Sequence, residues 1–230
     1  MLNNKEYLER LFDSDKPLII YRVRNGFDAY TDFSKRIKLT KNNAKSFFEK
    51  TVNKKDSNNK FFDGYVGFLS YELQCKLINI NIPKQKSNGF KDSIFYKPQT
   101  LIKIRKNIKV FSTLKNQKFK KYFSKTQILG PFKLNINYTK YKKIFNLFSK
   151  KIRQGETYQI KICTKYKNKS IINPVNFFWK LMNLSSSAES FMIRDKDYSI
   201  VSCSPETLID KKGKKIITKP IAGTLKKIIN

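Results

Sequence analysis

Apolar residues in the first half of the chain are spaced as they are in strands. Residues 17–24 (PLIIYRVR) are rich in β-branched side chains, which favours a strand. Residues 61–73 (FFDGYVGFLSYEL) place aromatic and β-branched side chains around Gly64 and Gly67. Because glycine leaves room for a neighbouring backbone, we predict a strand there that turns tightly or lies against another segment.

Two further strands are predicted close together, near residues 100–104 and 108–112. Lys106-Asn107 between them is a suitable hairpin turn, so the two strands should pair. Three polar or lysine-rich stretches separate the elements of this half and are predicted to contain loops: 41–59, 79–93 and 115–127.

The pattern changes after Pro131. Apolar side chains now recur at spacings of three and four, which predicts a helix with one apolar face, and Gly155 is well placed to end it. That face consists of Tyr138, Tyr141, Phe145, Phe148 and Ile152. Residues 158–162 then alternate as a strand does, and residues 176–182 follow Pro174 as a second helix. The last strands are predicted at 190–193, 199–203 and 215–218, with turns at 195–197 and 211–213.

Strands followed by helices, without regular alternation, predict a mixed α+β fold. We divide the chain near residue 128, into an N-terminal domain of residues 1–128 and a second domain that begins with residues 129–230. The sequence stops soon after a glycine-bearing loop, where a self-contained domain seldom ends. We therefore expect the second domain to be incomplete at its C-terminus.

Positive charge dominates the composition. Lysine and arginine number 49 and aspartate and glutamate 17, which gives a formal net charge of +32. Such a charge would suit a nucleic-acid-binding protein. Only seven of the 49 are arginine, whose planar fork suits phosphate and base recognition, and the lysines are spread along the chain. We therefore disfavour nucleic acid as a partner and interpret the charge as a solvated surface that steers anionic ligands.

Missing residue types exclude several kinds of chemistry. The sequence contains no histidine, which excludes His-based triads and zinc sites of the HExxH type. Cys75, Cys163 and Cys203 lack the paired spacing of a disulfide framework or a zinc site. No apolar run reaches the ~20 residues needed to cross a membrane, and the N-terminus lacks a signal-peptide pattern. We expect a cytoplasmic protein with no membrane partner.

Two short segments are candidate ligand sites. Glu206, in the run Ser204-Pro205-Glu206, could serve as an acid or a ligand, or could cap nearby backbone N–H groups. In the loop Pro220-Ile221-Ala222-Gly223-Thr224, Gly223 lets a ligand approach the backbone and the Thr224 hydroxyl can donate and accept. A tight turn explains this second loop equally well.

Three segments taken together carry a family resemblance. Residues 152–162 (IRQGETYQIKI), 200–209 (IVSCSPETLI) and 218–227 (TKPIAGTLKK) resemble, in order and spacing, the chorismate-binding enzymes. The pattern of that family reads I-x-x-G-(D/E)-x-(Y/F)-Q, then S-P-E, then P-I-(A/K)-G-T. Its members include anthranilate synthase component I, aminodeoxychorismate synthase component I, and the isochorismate and salicylate synthases. Residues 64–73 (GYVGFLSYEL) resemble the glycine-rich strand of the family's N-terminal domain, so the resemblance spans nearly the whole chain.

The resemblance implies a two-sheet α/β sandwich in which chorismate lies in a cleft and Mg²⁺ holds a carboxylate. It assigns residues 1–128 to the domain that is like the N-terminal part of anthranilate synthase component I. The positions that it points to for substrate binding are Gln159, Ala222, Gly223 and Thr224, with Tyr158, Ser204, Pro205, Glu206, Pro220 and Ile221 in support.

The resemblance also implies what this chain lacks. The family's magnesium-binding glutamates, its catalytic histidine and its GS-x-x-G-x-P-K segment lie downstream of the loop that ends in Gly223-Thr224. We therefore expect no complete catalytic set and no metal ligands here, and no activity of the chain alone. A glutamine amidotransferase subunit is the partner expected to supply ammonia. An incomplete gene product would instead aggregate, because its unpaired sheet edge is exposed.

The branch of the family depends on a few positions. Gln159 stands where the water-using isochorismate synthases carry a lysine base, and a neutral amide cannot take a proton from water, so amination is favoured. Ala222 favours anthranilate synthase, since many aminodeoxychorismate synthases carry a lysine nucleophile there. The run GTLKK and the absence of NPSPYM favour the folate branch. We predict 4-amino-4-deoxychorismate synthase component I, with anthranilate synthase component I as the alternative.

Nucleic-acid binding can be tested directly. Because the basic residues are dispersed, we expect only weak binding to duplex or single-stranded DNA, and we expect it to vanish near ~150 mM salt. Fluorescence anisotropy with labelled oligonucleotides over a salt series measures this. Submicromolar binding at physiological ionic strength with a steep salt dependence would instead establish a nucleic-acid-binding surface.

Overall fold

The computed structural model describes residues 3–52, 64–81, 93–114, 119–120, 126–185, 187–221 and 223. The helices of this part of the chain are α1 (Asn4–Phe12), α2 (Lys41–Val52), α3 (Tyr71–Leu77), α4 (Tyr138–Arg153) and α5 (Pro174–Leu184). Its strands are β1 (Leu18–Val23), β2 (Gly26–Lys38), β3 (Val66–Leu69), β4 (Ser93–Ile104), β5 (Ile108–Ser112), β6 (Lys133–Leu134), β7 (Tyr166–Lys167), β8 (Glu189–Arg194), β9 (Ser199–Ser204), β10 (Thr207–Lys212) and β11 (Lys215–Lys219).

Seven strands form one antiparallel sheet in the order β3-β4-β2-β1-β8-β9, with β5 also paired to β4. Two smaller sheets hold two strands each, β10 with β11 and β6 with β7. With helices and antiparallel strands combined in this way, the predicted α+β class is confirmed. Contacts divide the chain into two units, Met1–Phe123 with Pro174–Asn230, and Ser124–Asn173. The predicted division into 1–128 and 129–230 stays a prediction.

The large sheet is apolar on both faces because its strands alternate. Leu18 and Ile20 of β1 are fully buried in one cluster, which α1 and α5 also supply with side chains such as Leu11 and Phe178. Ile19, between them, is fully buried in a second cluster. The second cluster also contains Tyr30, Val66, Ile94, Tyr96, Leu101 and Ile193. The near-continuous apolar run of β1 therefore reflects a strand that is covered on both sides.

Strand β1 pairs with β2 on one side and with β8 on the other. At the end of β8, Arg194 is 5% exposed, and its guanidinium donates to three carbonyl oxygens near the C-terminal end of α1. The acceptors are Leu11 at 2.9 Å, Phe12 at 3.0 Å and Lys16 at 3.0 Å. A cation at this position adds to the hydrogen bonds at the C-terminal end of α1 and complements the helix dipole.

Another ionic contact fixes the turn between β8 and β9. Asp195 is nearly inaccessible, and its Oδ2 accepts from Arg36 Nη2 at 2.6 Å and from the Tyr96 hydroxyl at 2.5 Å. Its Oδ1 accepts from the Lys196 N–H at 2.8 Å. Burial raises the pKa of the Asp195 carboxyl, but the hydrogen bonds from Tyr96, Lys196 and Arg36 outweigh it and hold that pKa below its ordinary value.

Several predicted elements are confirmed by the structure. The helix after Pro131 is α4, and the hairpin around Lys106-Asn107 is the β4–β5 pair, in which Ile104 lies opposite Ile108. The strands predicted at 190–193, 199–203 and 215–218 are β8, β9 and β11.

Two other predictions were correct only in part, for local reasons. The predicted strand 61–73 ends at Leu69 in the described residues, because the Ser70 hydroxyl accepts from the Leu73 N–H at 3.1 Å and begins α3. Residues 61–63 lie outside the described residues. Part of the predicted 41–59 loop region is helix α2, whose first turn is fixed by the Asn43 side chain accepting from the Thr40 N–H at 2.7 Å.

The predicted strand 158–162 was wrong. Those residues carry no strand in the structure, because apolar alternation makes a strand only where a neighbouring backbone pairs with it. Helix α1 and strands β2, β6, β7 and β10 were not predicted from the sequence. Within the described part of the chain, no helix has the length and apolar character that spanning a bilayer requires.

Gly67 provides a test of the sheet. A Cβ added there would lie 2.1 Å from the Ile94 carbonyl oxygen on β4, so Gly67→Ala should separate β3 from β4 and lower the free energy of unfolding by about 1–3 kcal/mol. Urea unfolding followed by circular dichroism measures this loss. The control is Gly130→Ala, where a Cβ meets nothing within 4 Å and only the positive φ of 77° opposes the change. Equal stability of Gly67→Ala and the parent would contradict the close approach.

Asp195 predicts a pH dependence of stability. Because its pKa is lowered in the folded state, its contribution is complete above the ordinary value of 3.8 and is lost as the pH falls through the folded-state pKa. Asp195→Asn should therefore be less stable than the parent at neutral pH, and the difference should shrink below about pH 4. Melting curves over a pH series measure this, with the exposed Asp197→Asn as control. A parent–variant difference that does not change with pH would contradict the lowered pKa.

Candidate functional site

The first family-like segment begins as a helix end. Gly155 has a φ of 74°, and its N–H donates to the Ile152 carbonyl at 3.0 Å. The N–H of Glu156 donates to the Lys151 carbonyl at 3.1 Å. This pair of hydrogen bonds is the Schellman arrangement, in which a glycine in the left-handed region ends a helix. The prediction that Gly155 ends α4 is confirmed, and the glycine of the motif has a conformational role.

Tyr158 and Gln159 follow this helix end in a segment without regular secondary structure. The Tyr158 side chain is 91% exposed, and Gln159 is exposed as well. The Thr157 hydroxyl donates to the Gln159 backbone carbonyl at 3.2 Å, a contact that involves the backbone of Gln159 and not its amide side chain. Within the Ser124–Asn173 unit, the Gln159 amide is therefore accessible to a ligand that needs one donor and one acceptor.

The second segment forms the connection from β9 to β10. Ser204 is the last residue of β9, and its hydroxyl accepts from the Glu206 N–H at 3.5 Å. The serine therefore caps the turn, and the Glu206 side chain is exposed. The two interpretations of Glu206 made from sequence, as an acid or ligand and as a cap of backbone N–H groups, both stay predictions. The Glu206 carboxylate is accessible to solvent.

The third segment leaves the end of β11. Pro220 and Ile221 are exposed, and Gly223 has a φ of 91° with nothing within 4 Å of the place where a Cβ would be. This backbone conformation is one that side-chain-bearing residues rarely adopt, so glycine is required here for its φ. Ala222 and Thr224 lie outside the described residues, and their roles stay predictions.

Pairing within the β10–β11 hairpin brings two of these segments to the same place. Thr207, which follows Glu206 directly, lies opposite Lys219, which precedes Pro220 directly. Ser204-Pro205-Glu206 and Pro220-Ile221 therefore enter and leave the base of one hairpin. The sequence alone did not predict this, because the connecting strand β10 was not recognised. Gln159 and Tyr158 belong to the other unit.

A thiol that the sequence analysis left without a role lies beside the second segment. The Cys203 Sγ donates to the Ser185 carbonyl at 2.8 Å, and the Ser190 hydroxyl lies 3.6 Å from the same sulfur. Burial raises the pKa of the Cys203 thiol, but hydrogen bonds involving Ser187, Ser185 and Ser190 lower it to about 7. The strand end that carries the Ser-Pro-Glu run is thus bonded to the segment before β8.

The described residues do not fit a magnesium site. Among them, no three acidic, cysteine or histidine side chains lie close enough together to hold a metal ion. Mg²⁺ prefers carboxylate oxygens in octahedral geometry, and Glu206 on its own does not supply that set. The Mg²⁺ expected from the resemblance stays a prediction, and no chemical step is derived through it.

Comparison with known proteins agrees with this series of segments. The family model described as chorismate binding enzyme matches residues 11–228. The chain is similar to anthranilate synthase component 1 of Buchnera aphidicola subsp. Rhopalosiphum maidis, with 29% identity over 244 residues, which covers 94% of this chain and 43% of that protein. It is 25% identical over 229 residues to the protein of the same name from Buchnera aphidicola subsp. Pemphigus spyrothecae, covering 95% of this chain and 43% of that protein.

A shorter match has a higher sequence identity. The anthranilate synthase component 1 of Haloferax volcanii is 34% identical over 73 residues, which covers 32% of this chain and 14% of that protein. The chain thus spans less than half the length of these relatives. Because the family model extends over nearly all of the sequence, the chain belongs to the family of chorismate-binding enzymes.

Proposed function

We propose that this chain contributes to the amination of chorismate by an enzyme of the anthranilate synthase component I type. The observation that carries the proposal is the continuous family match from residue 11 to residue 228. The two Buchnera relatives matched over 94% and 95% of this chain are both named anthranilate synthase component 1. Since the chain spans less than half of each relative, the activity is proposed for the whole protein.

The product is the point on which sequence and comparisons differ. The sequence analysis favoured 4-amino-4-deoxychorismate, whereas the names of the relatives favour anthranilate. Ala222 also supports anthranilate, because alanine has no group that could attack the ring in place of ammonia. The folate-branch product stays the second candidate, supported by the run GTLKK and by the absence of an NPSPYM segment.

The described residues suit binding better than catalysis. Chorismate carries two carboxylates, and a chain with a formal net charge of +32 attracts a dianion at long range. At close range, nothing lies within 4 Å of the place where a Cβ of Gly223 would be, so a ligand group has room to approach the backbone on that side. Gln159 offers a neutral amide, which can orient a substrate without removing a proton from water.

Ammonia would come from a second protein. We expect a glutamine amidotransferase subunit as the partner, because the proposed reaction consumes ammonia and free ammonia is scarce at neutral pH. Mg²⁺ remains part of the proposal as the ion that holds a substrate carboxylate, with ligands outside the described residues.

Product analysis tests the proposal. The whole protein is supplied with chorismate, ammonium and Mg²⁺, and chromatography with fluorescence detection separates anthranilate from 4-amino-4-deoxychorismate. We expect anthranilate. The second product would move the protein to the folate branch, and the absence of both from a folded protein would contradict chorismate amination.

Two glycine variants locate the site within that assay. Gly223→Ala adds a Cβ in the proposed binding segment at a φ of 91°, and we expect the KM for chorismate to rise about tenfold. Gly213→Ala adds the same methyl group in the β10–β11 turn, also at positive φ and with nothing within 4 Å. Its φ of 58° is the ordinary left-handed helical value, so the substitution costs less strain there, and it should leave KM unchanged.

A further inference from the structure

A side-chain contact joins the β10–β11 hairpin to the seven-stranded sheet. The hairpin is a two-stranded sheet of its own. At its base, the Thr207 hydroxyl donates to Oε1 of Glu189, the first residue of β8. Both side chains are half-buried, so the bond is partly shielded from competing water.

Glu189 contacts both ends of the Ser-Pro-Glu connection. Its backbone lies opposite Ser204 in the β8–β9 pair, and its carboxylate accepts from Thr207 three residues later. Ser204 belongs to the large sheet and Thr207 to the hairpin. The carboxylate therefore sets the direction in which the chain leaves one sheet and enters the other.

That direction is transmitted to the segment around Gly223. Thr207 lies opposite Lys219, and the register is irregular between Thr207 and Asp210, so the base of the hairpin is not held by a continuous ladder. Lys219 leads directly into Pro220, whose ring fixes φ. Fixing Thr207 thus fixes the place from which Pro220 and Ile221 depart.

We propose that Glu189 and Thr207 are positioning residues, which hold the base of the β10–β11 hairpin so that the segment containing Gly223 is presented to chorismate. The consequence for chorismate rests on the function proposed above. We call the contact between Glu189 and Thr207 the tether; it depends only on the contacts of Glu189, Thr207 and Lys219. A charge-assisted hydrogen bond suits this role because it is directional and stronger than a bond between neutral groups.

The test removes the hydroxyl and keeps the shape of the side chain. In Thr207→Val, hydrogen exchange followed by mass spectrometry should be several-fold faster in peptides that span β11 and Gly223. The Kd for chorismate, measured by calorimetry, should rise about tenfold. Thr207→Ser keeps the donor and should restore both values to near those of the parent.

Variants of Glu189 complete the design. Glu189→Met should reproduce Thr207→Val, whereas Glu189→Gln keeps an acceptor and should resemble the parent. The double variant Glu189→Met/Thr207→Val should be no worse than the worse single variant, because both changes remove one bond. Thr100→Val is a demanding control: it removes a threonine–carboxylate bond to Asp32 at 2.8 Å and a contact with the Ser112 hydroxyl at 2.9 Å, both elsewhere in the sheet. It should lower Tm without changing exchange in β11 or the Kd.

The two proposals fail in different ways. Unchanged exchange in β11 for Thr207→Val, or an effect no larger than that of Thr100→Val, overturns the tether. Faster exchange with an unchanged Kd overturns its role toward chorismate. If the whole protein without substitutions binds no chorismate, the proposed function fails, and the exchange measurement alone decides whether the tether holds.

Discussion

The pairing of β1 with both β2 and β8 is the constraint on which the rest of the structure depends. The β1–β8 pair links the early part of the described chain to its late part. The buried Arg194 guanidinium adds a hydrogen bond to the Lys16 carbonyl, 178 positions away in sequence. Hydrogen bonds from a charged donor contribute about 1.5–3 kcal/mol each, so a side chain that makes three of them is costly to replace. Such a long closure is entropically expensive and requires many apolar contacts on both faces of the sheet.

The proposed binding segments depend on that closure. Strand β8 carries β9, β9 leads through Ser204-Pro205-Glu206 into β10, and β11 leads to Pro220 and Gly223. A loss of register between β1 and β8 would therefore move every one of these residues. The motif glycines have backbone roles, since Gly155 and Gly223 both occupy positive φ. The binding roles proposed for Gly223 and for Gln159 rest on two separate units of the chain.

Local patterns predicted the elements that local physics determines. The 3.6-residue spacing from Tyr138 to Ile152 predicted α4, and a two-residue turn signal predicted the β4–β5 hairpin. The ordered motifs predicted the family. Helix α3 was hidden because its start depends on a single cap, Ser70, within an aromatic and β-rich stretch.

Long-range contacts had no local signal to reveal them. The pairing of β1 with β8 and the carbonyls that Arg194 binds join residues far apart in sequence, and the bond between Glu189 and Thr207 spans 18 positions. The strand predicted at 158–162 also depended on a distant partner. Its apolar residues do alternate, but no neighbouring strand pairs with it in the described residues. The net charge of +32 points toward anions of many kinds and identifies none of them.

The most direct test of the account is a titration of the ¹⁵N-labelled protein with chorismate, followed by backbone amide chemical shifts, with benzoate as a control anion. The account predicts saturable shifts at Gly223 and Ile221 with chorismate and much smaller ones with benzoate. Shifts of the same size for both anions, spread over the lysine-rich surface and not saturating, would contradict it. They would show that chorismate is attracted only by the positive charge of the chain.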